Sequence, residues 1–158
     1  MVWGGHHFID NFFQQGRAID DIDCIFVTHF HDDHFADLPS LMSLLYQRYR
    51  HNRSRTISVW ADRQTLEMFA PIIRSSPYVV VCQQLASCCP GWRRLNSKVY
   101  FRTLPTKHQV WDTLKTGVGL AFRIERGRTR SFLLLTGDTG WCSRIGKVYE
   151  RFQGRNTT

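Results

Sequence analysis

Cys24-Ile25-Phe26-Val27-Thr28-His29-Phe30-His31-Asp32-Asp33-His34 runs five apolar or β-branched residues straight into three histidines and two carboxylates within six positions. A packing role does not require such a density of metal-binding groups. The stretch reads as a buried strand, over 23–28, that delivers ligands to a metal centre at its C-terminal end. In an extended segment side chains two apart point the same way, so His29 and His31 can grip one ion together. Asp33 and His34 follow on the turn and can face a second ion. Imidazole and carboxylate donors suit zinc, and also accept manganese or iron.

Outward from this stretch, Phe8, Ile9, Phe12 and Phe13 fall at helical spacing before Gly16, which predicts a short amphipathic helix. His6 and His7 precede it and read as surface or loop residues. Asp37 followed by Pro39 predicts a capped helix start, with Leu38, Leu41, Met42, Leu45 and Tyr49 as its apolar face to about residue 50. His51 reads as exposed. Residues 56–60 alternate as a strand, Asp62 caps an expected helix over 63–74, and Tyr78 to Cys82 form another β-like run. Residues 83–96 read as a loop. Lys98 to Leu104, Gly117 to Glu125 and Ser131 to Thr136 read as strands, the last two joined by Arg126-Gly127-Arg128-Thr129 as a hairpin. The last of them, Phe132-Leu133-Leu134-Leu135-Thr136, reads as a buried strand discharging into Gly137-Asp138. Alternating strands and helices in the first half and a hairpin in the second predict an α/β layered domain with a mixed sheet and flanking helices.

The 158 residues have the length of one domain. Lys and Arg number 21 against 13 Asp and Glu, a formal charge of +8, which favours polyanionic partners such as nucleic acid or phosphorylated substrates. The excess is spread over three clusters: Arg48 to Arg55, then Arg93, Arg94 and Lys98, and finally Arg123 to Arg130. Five cysteines, Cys24, Cys82, Cys88, Cys89 and Cys142, form no CxxC pair, which predicts reduced thiols and a cytoplasmic setting. No apolar run approaches the ~18 residues of a membrane span, so no membrane partner is expected.

The His-x-His-x-Asp-His hexad directly after an apolar strand resembles the signature of the metallo-β-lactamase fold superfamily, and the resemblance covers nearly the whole chain, read as one partial domain over 1–158. It implies that a later lone histidine, His108, completes the first metal site with His29 and His31. It also implies that Asp138 bridges to a second ion held by Asp33 and His34. Phe30, Asp32 and the following Ala36-Asp37-Leu38-Pro39 are similar to the branch containing ribonuclease Z and related phosphodiesterases. The implied chemistry is hydrolysis by a metal-activated water between two zinc ions, with Asp33 as its proton acceptor or orienting group and a phosphodiester in RNA or a nucleotide as substrate. The same core also serves ester, thioester or lactam hydrolysis.

Two departures from the family shape further expectations. Only 28 residues precede His29, and no histidine follows Asp138. The family places strands before the hexad and a final histidine after the bridging aspartate. The chain is therefore read as the middle of a larger or divided protein, completed by a partner chain or a second copy. The alternative is a non-catalytic fragment that keeps a metal site and binds protein or nucleic acid.

Overall fold

A computed structural model describes residues 2–3, 7–51, 55–75, 80–85, 91–106, 118–138, 146–147 and 150–152. The chain divides into two compact units, Met1–Leu85 and Ala86–Thr158.

In the first unit strands and helices alternate: β1 (Val2–Trp3), α1 (Phe8–Gln14), β2 (Cys24–Phe26), α2 (Asp32–Phe35), α3 (Leu38–Tyr49), β3 (Ile57–Ala61), α4 (Arg63–Met68), α5 (Ala70–Ser75) and β4 (Val80–Gln84). The strands form one parallel sheet in the order β1-β2-β3-β4. Parallel neighbours need a crossover, and crossovers of constant hand stepping in one direction bring their helices to one face. The core shows this face. Ile25 and Val27 from the β2 segment and Ile57, Val59 and Ala61 from β3 pack with Leu38, Leu41, Met42 and Leu45 of α3. Phe8, Ile9 and Phe12 of α1 close over the same cluster. The alternate positions Phe26 and Trp60 stack on each other at 6.2 Å between ring centroids.

Several local features depart from the sequence expectation. Asp37 precedes α3 but its side chain does not cap that helix. Its Oδ2 instead accepts the N–H of Ile9, 3.1 Å away, in the first turn of α1. That helix is preceded by His7, in the left-handed region at φ 57° with no side-chain cap hydrogen bond, so the borrowed carboxylate satisfies an otherwise orphaned donor. The helix expected over 63–74 is broken at Phe69. Asp62 does cap its start, accepting from the N–H groups of Gln64 and Thr65 at 2.9 and 3.2 Å. Pro71 then lacks the N–H that a continuous helix would require, while near the start of α5 the loss is harmless.

Asp20, in a 3-10 turn over Ile19–Asp21, is tied to the end of α3. Arg48 donates to both of its carboxylate oxygens, at 3.1 Å from Nε and 2.7 Å from Nη2, and the Tyr49 hydroxyl donates to Oδ1. The Arg48 and Tyr49 hydrogen bonds lower the Asp20 carboxyl to about 2. A carboxyl depressed in the folded state stabilises fully above its unfolded value near 4 and loses that contribution as the pH falls through about 2. The urea midpoint of the wild type is therefore expected to fall between pH 4 and pH 2 more steeply than that of Asp20→Asn. Parallel curves for the two proteins would refute this.

The second unit is an antiparallel sheet in the order β5-β6-β7-β8, formed by β5 (Arg93–Arg94), β6 (Val99–Pro105), β7 (Val118–Arg126) and β8 (Thr129–Leu135). The α/β class stands, with the parallel strands in one sheet and the antiparallel strands in another. β5 and the end of β4 occupy part of what reads as a loop over 83–96. The β7-β8 hairpin closes through Gly127 and Arg128, because Arg126 pairs with Thr129. Gly127 takes φ +62°, a conformation that L side chains resist. The apolar run of β8 is not buried as its composition predicts: Phe132, Leu134 and Leu135 are half-buried and Leu133 is exposed. β8 is last in the sheet order and has one strand neighbour among the described residues, the position of an edge strand.

Among the described residues no helix is long and apolar enough to cross a membrane.

Candidate metal centre

Val27, Thr28 and His29 continue β2 as fully buried residues, and the chain then turns through Phe30 and His31 into α2. The expected turn over Asp32 to His34 is helical. This winding brings His34 back over the strand end, so that its ring lies 4.1 Å from that of His29 between centroids. His29 and His34 are buried, His31 is half-buried and Asp33 is exposed.

The donor atoms converge in two pairs. His29 Nε2 lies 3.0 Å from His31 Nδ1. His34 Nε2 lies 3.3 Å from Asp33 Oδ2. Two nitrogens each ~2.0–2.1 Å from a tetrahedral zinc are about 3.3 Å apart, so the first pair spans close to one edge of such a coordination shell. Neutral imidazole nitrogens and a carboxylate oxygen are the donors that zinc, manganese and iron accept, and they fit the ions the sequence implies.

Of the residues expected in the site, His29, His31, Asp33 and His34 are brought together. Asp138 belongs to the second unit, where it is half-buried and follows β8 through Gly137 at φ +60°. His108 lies outside the described residues. His7 and His51 are exposed, as expected.

Thr28 is a component that the sequence reading passed over. Its fully buried Oγ1 lies 3.1 Å from His29 Nδ1 and 3.3 Å from His34 Nδ1. Were an ion held through Nε2 of each ring, the ring proton would sit on Nδ1, and one hydroxyl oxygen with two lone pairs could accept both protons. The signal was a hydroxyl residue at the strand end directly before the first histidine. Thr28→Val, equal in shape but without the hydroxyl, is expected to lower zinc affinity by about 10- to 100-fold, whereas Thr28→Ser retains it. Chelator competition measures this, and equal affinity for Val and Ser would remove Thr28 from the site.

Cys24 begins β2 as a free, buried thiol, which burial pushes up to about 11. At neutral pH it is a small apolar residue rather than a nucleophile or ligand.

The family model described as "Beta-lactamase superfamily domain" matches residues 4–156. The chain belongs to the beta-lactamase superfamily. Solved structures agree on the fold. The metallo-beta-lactamase fold protein YhfI from Bacillus subtilis matches with a TM-score of 0.65 and 19% identity, over 90% of this chain and 51% of that one. The short form of human tRNase Z (ELAC1) matches with a TM-score of 0.63 and 16% identity, over 91% of this chain and 60% of that one. A diphosphatase from the PhnP family matches with a TM-score of 0.54 and 19% identity, over 78% of this chain and 43% of that one. This superfamily member thus spans roughly half the length of the structures it resembles. No curated protein matches it significantly by sequence.

Proposed function

We propose that the chain is a metal-dependent hydrolase that cleaves phosphodiesters in RNA or nucleotides. His29, His31 and His108 would hold a first ion and Asp33 and His34 a second, with Asp138 as a further carboxylate ligand. The convergence of His29 on His31 beside that of His34 on Asp33 carries this reading. Divalent ions at such a site supply Lewis acidity and bring the pKa of water from 15.7 to about 7.

The protein's own groups divide the remaining work. Buried His29 and His34 fix the donor positions, and Thr28 holds their rings. Asp33, with its side chain 65% exposed, would orient an attacking water or accept its proton. Phosphorus as the reacting centre is supported by two of the similar structures, a diphosphatase and a tRNase Z by name. The net charge of +8 favours such anionic substrates. A cytoplasmic setting, in which thiols stay reduced, suits the free Cys24.

Purified protein is expected to carry about two ions per chain and to hydrolyse bis(p-nitrophenyl) phosphate. The activity should be lost in His31→Ala. Protein free of metal after zinc-replete purification would overturn the reading, and turnover of p-nitrophenyl acetate without diester cleavage would move the substrate class to carbonyl esters.

A further inference from the structure

Arginines that are scattered in the sequence converge in the second unit. A cavity of about 550 Å³ is lined there by Trp92, Arg102, Arg123, Arg130, Phe132, Arg151 and Phe152, with no carboxylate among the described lining residues. Small-molecule sites occupy ~300–1,000 Å³, so the volume is ample. Strand register explains the convergence. Arg102 pairs with Ala121 and Arg123 with Phe132, and partners directly opposite each other in an antiparallel sheet share a face.

The wall of the cavity alternates cations and rings. Arg102 lies over Phe152 at 4.8 Å and over Trp92 at 5.3 Å from the ring centroids. Arg123 lies over Trp92 at 5.1 Å and over Tyr100 at 4.3 Å. Phe132 packs against Trp92 and Phe152 with centroids 6.1 and 5.8 Å away. Glu125 Oε1 lies 3.1 Å from Arg123 Nε and 3.7 Å from Arg130 Nε.

Covering the sheet face accounts for Arg102 and Arg123, whose guanidiniums stack on rings. It does not require exposed Arg130 and Arg151 to line the same space. A guanidinium presents a planar fork of donors that matches phosphate, and an aromatic wall accepts the π-face of any base. We propose that this cavity binds a nucleotide unit, its phosphate on Arg130 and Arg151 and its base against the rings of Phe132 and Trp92. The unit is either a free nucleotide or a segment of single-stranded RNA. The inference bears on the substrate class of the hydrolytic reading but does not depend on the metal centre, so binding is measured in EDTA, where catalysis is silent.

The probe is fluorescently labelled octa-adenylate, followed by anisotropy, with AMP and inorganic phosphate as competitors. Arg130→Ala/Arg151→Ala is expected to weaken binding about tenfold or more at low salt. It should also flatten the slope of log affinity against log salt by about 0.7, the value for one phosphate contact on a single strand. Both side chains are exposed, so an unchanged melting temperature will show that the fold is intact. Competition by AMP supports a free-nucleotide site, and octa-adenylate binding that AMP does not displace supports a strand site. The proposal is overturned by absence of octa-adenylate binding, by unchanged affinity and slope in the double variant, or by inorganic phosphate competing as well as AMP.

Discussion

His29→Ala is expected to abolish the stabilisation that zinc confers on the wild-type protein. His29 is 1% exposed, presents Nε2 to His31 at 3.0 Å and rests Nδ1 on Thr28 at 3.1 Å, so the substitution removes a donor fixed on both sides. Losing a ligand costs more than the ~10–100-fold that loss of an outer-shell partner costs. Zinc at 100 times its dissociation constant stabilises a folded protein by ~2.7 kcal/mol. A variant that binds 1,000-fold more weakly, on the order of what one lost donor costs, gains almost nothing at the same zinc concentration. Thermal melts with and without zinc should therefore show a clear upward shift for the wild type and coincident curves for His29→Ala. The comparison is made within each protein, so any cost of the substitution to the metal-free fold cancels. A wild-type zinc shift in His29→Ala would show that the ion binds elsewhere, whatever the activity.

The features legible in the sequence are those written in neighbouring residues. An apolar strand followed by alternating donors pointed to the convergence of His29, His31, Asp33 and His34. Pro39 and the spacing of Leu38, Leu41, Met42, Leu45 and Tyr49 gave α3 its start and its buried face, and these five residues are all buried. Gly127 between two strand-like runs gave the hairpin. What escaped depends on partners distant in the chain or on position within a sheet. Asp37 looks like the cap of the helix it precedes, yet serves Ile9, 28 residues away. β8 has the composition of a buried strand, but burial is decided by what lies beside it. Arg102, Arg123 and Arg130 of the cavity come from three strands, β6, β7 and β8, and Arg151 from beyond them, and no local pattern links the four. Thr28 is a different case: hydroxyl residues end many strands, and only the winding of α2 that returns His34 to it reveals two imidazoles on one oxygen.

Leu45→Ala tests whether the metal centre and the core are separable. Leu45 is fully buried on α3 within the cluster that includes Ile25 and Val27, the segment leading into Thr28 and His29. Truncating a buried leucine removes transfer free energy and leaves a cavity, at a cost of ~2–5 kcal/mol. Against a typical total of ~5–15 kcal/mol this is a large fraction, so the urea midpoint should fall sharply with little change in the slope of the transition. Zinc affinity should respond differently. The donors are set by the hexad's own winding and by Thr28, so molecules that remain folded keep the paired donor geometry. Leu45→Ala is thus expected to lose stability while retaining near wild-type zinc affinity at low temperature without urea, the inverse of Thr28→Val. A midpoint shift equivalent to less than ~1 kcal/mol would mean that this face of α3 does not pack as described. Loss of zinc affinity in a still-folded Leu45→Ala would mean that the core, rather than the local chain around Thr28, holds the histidines in place.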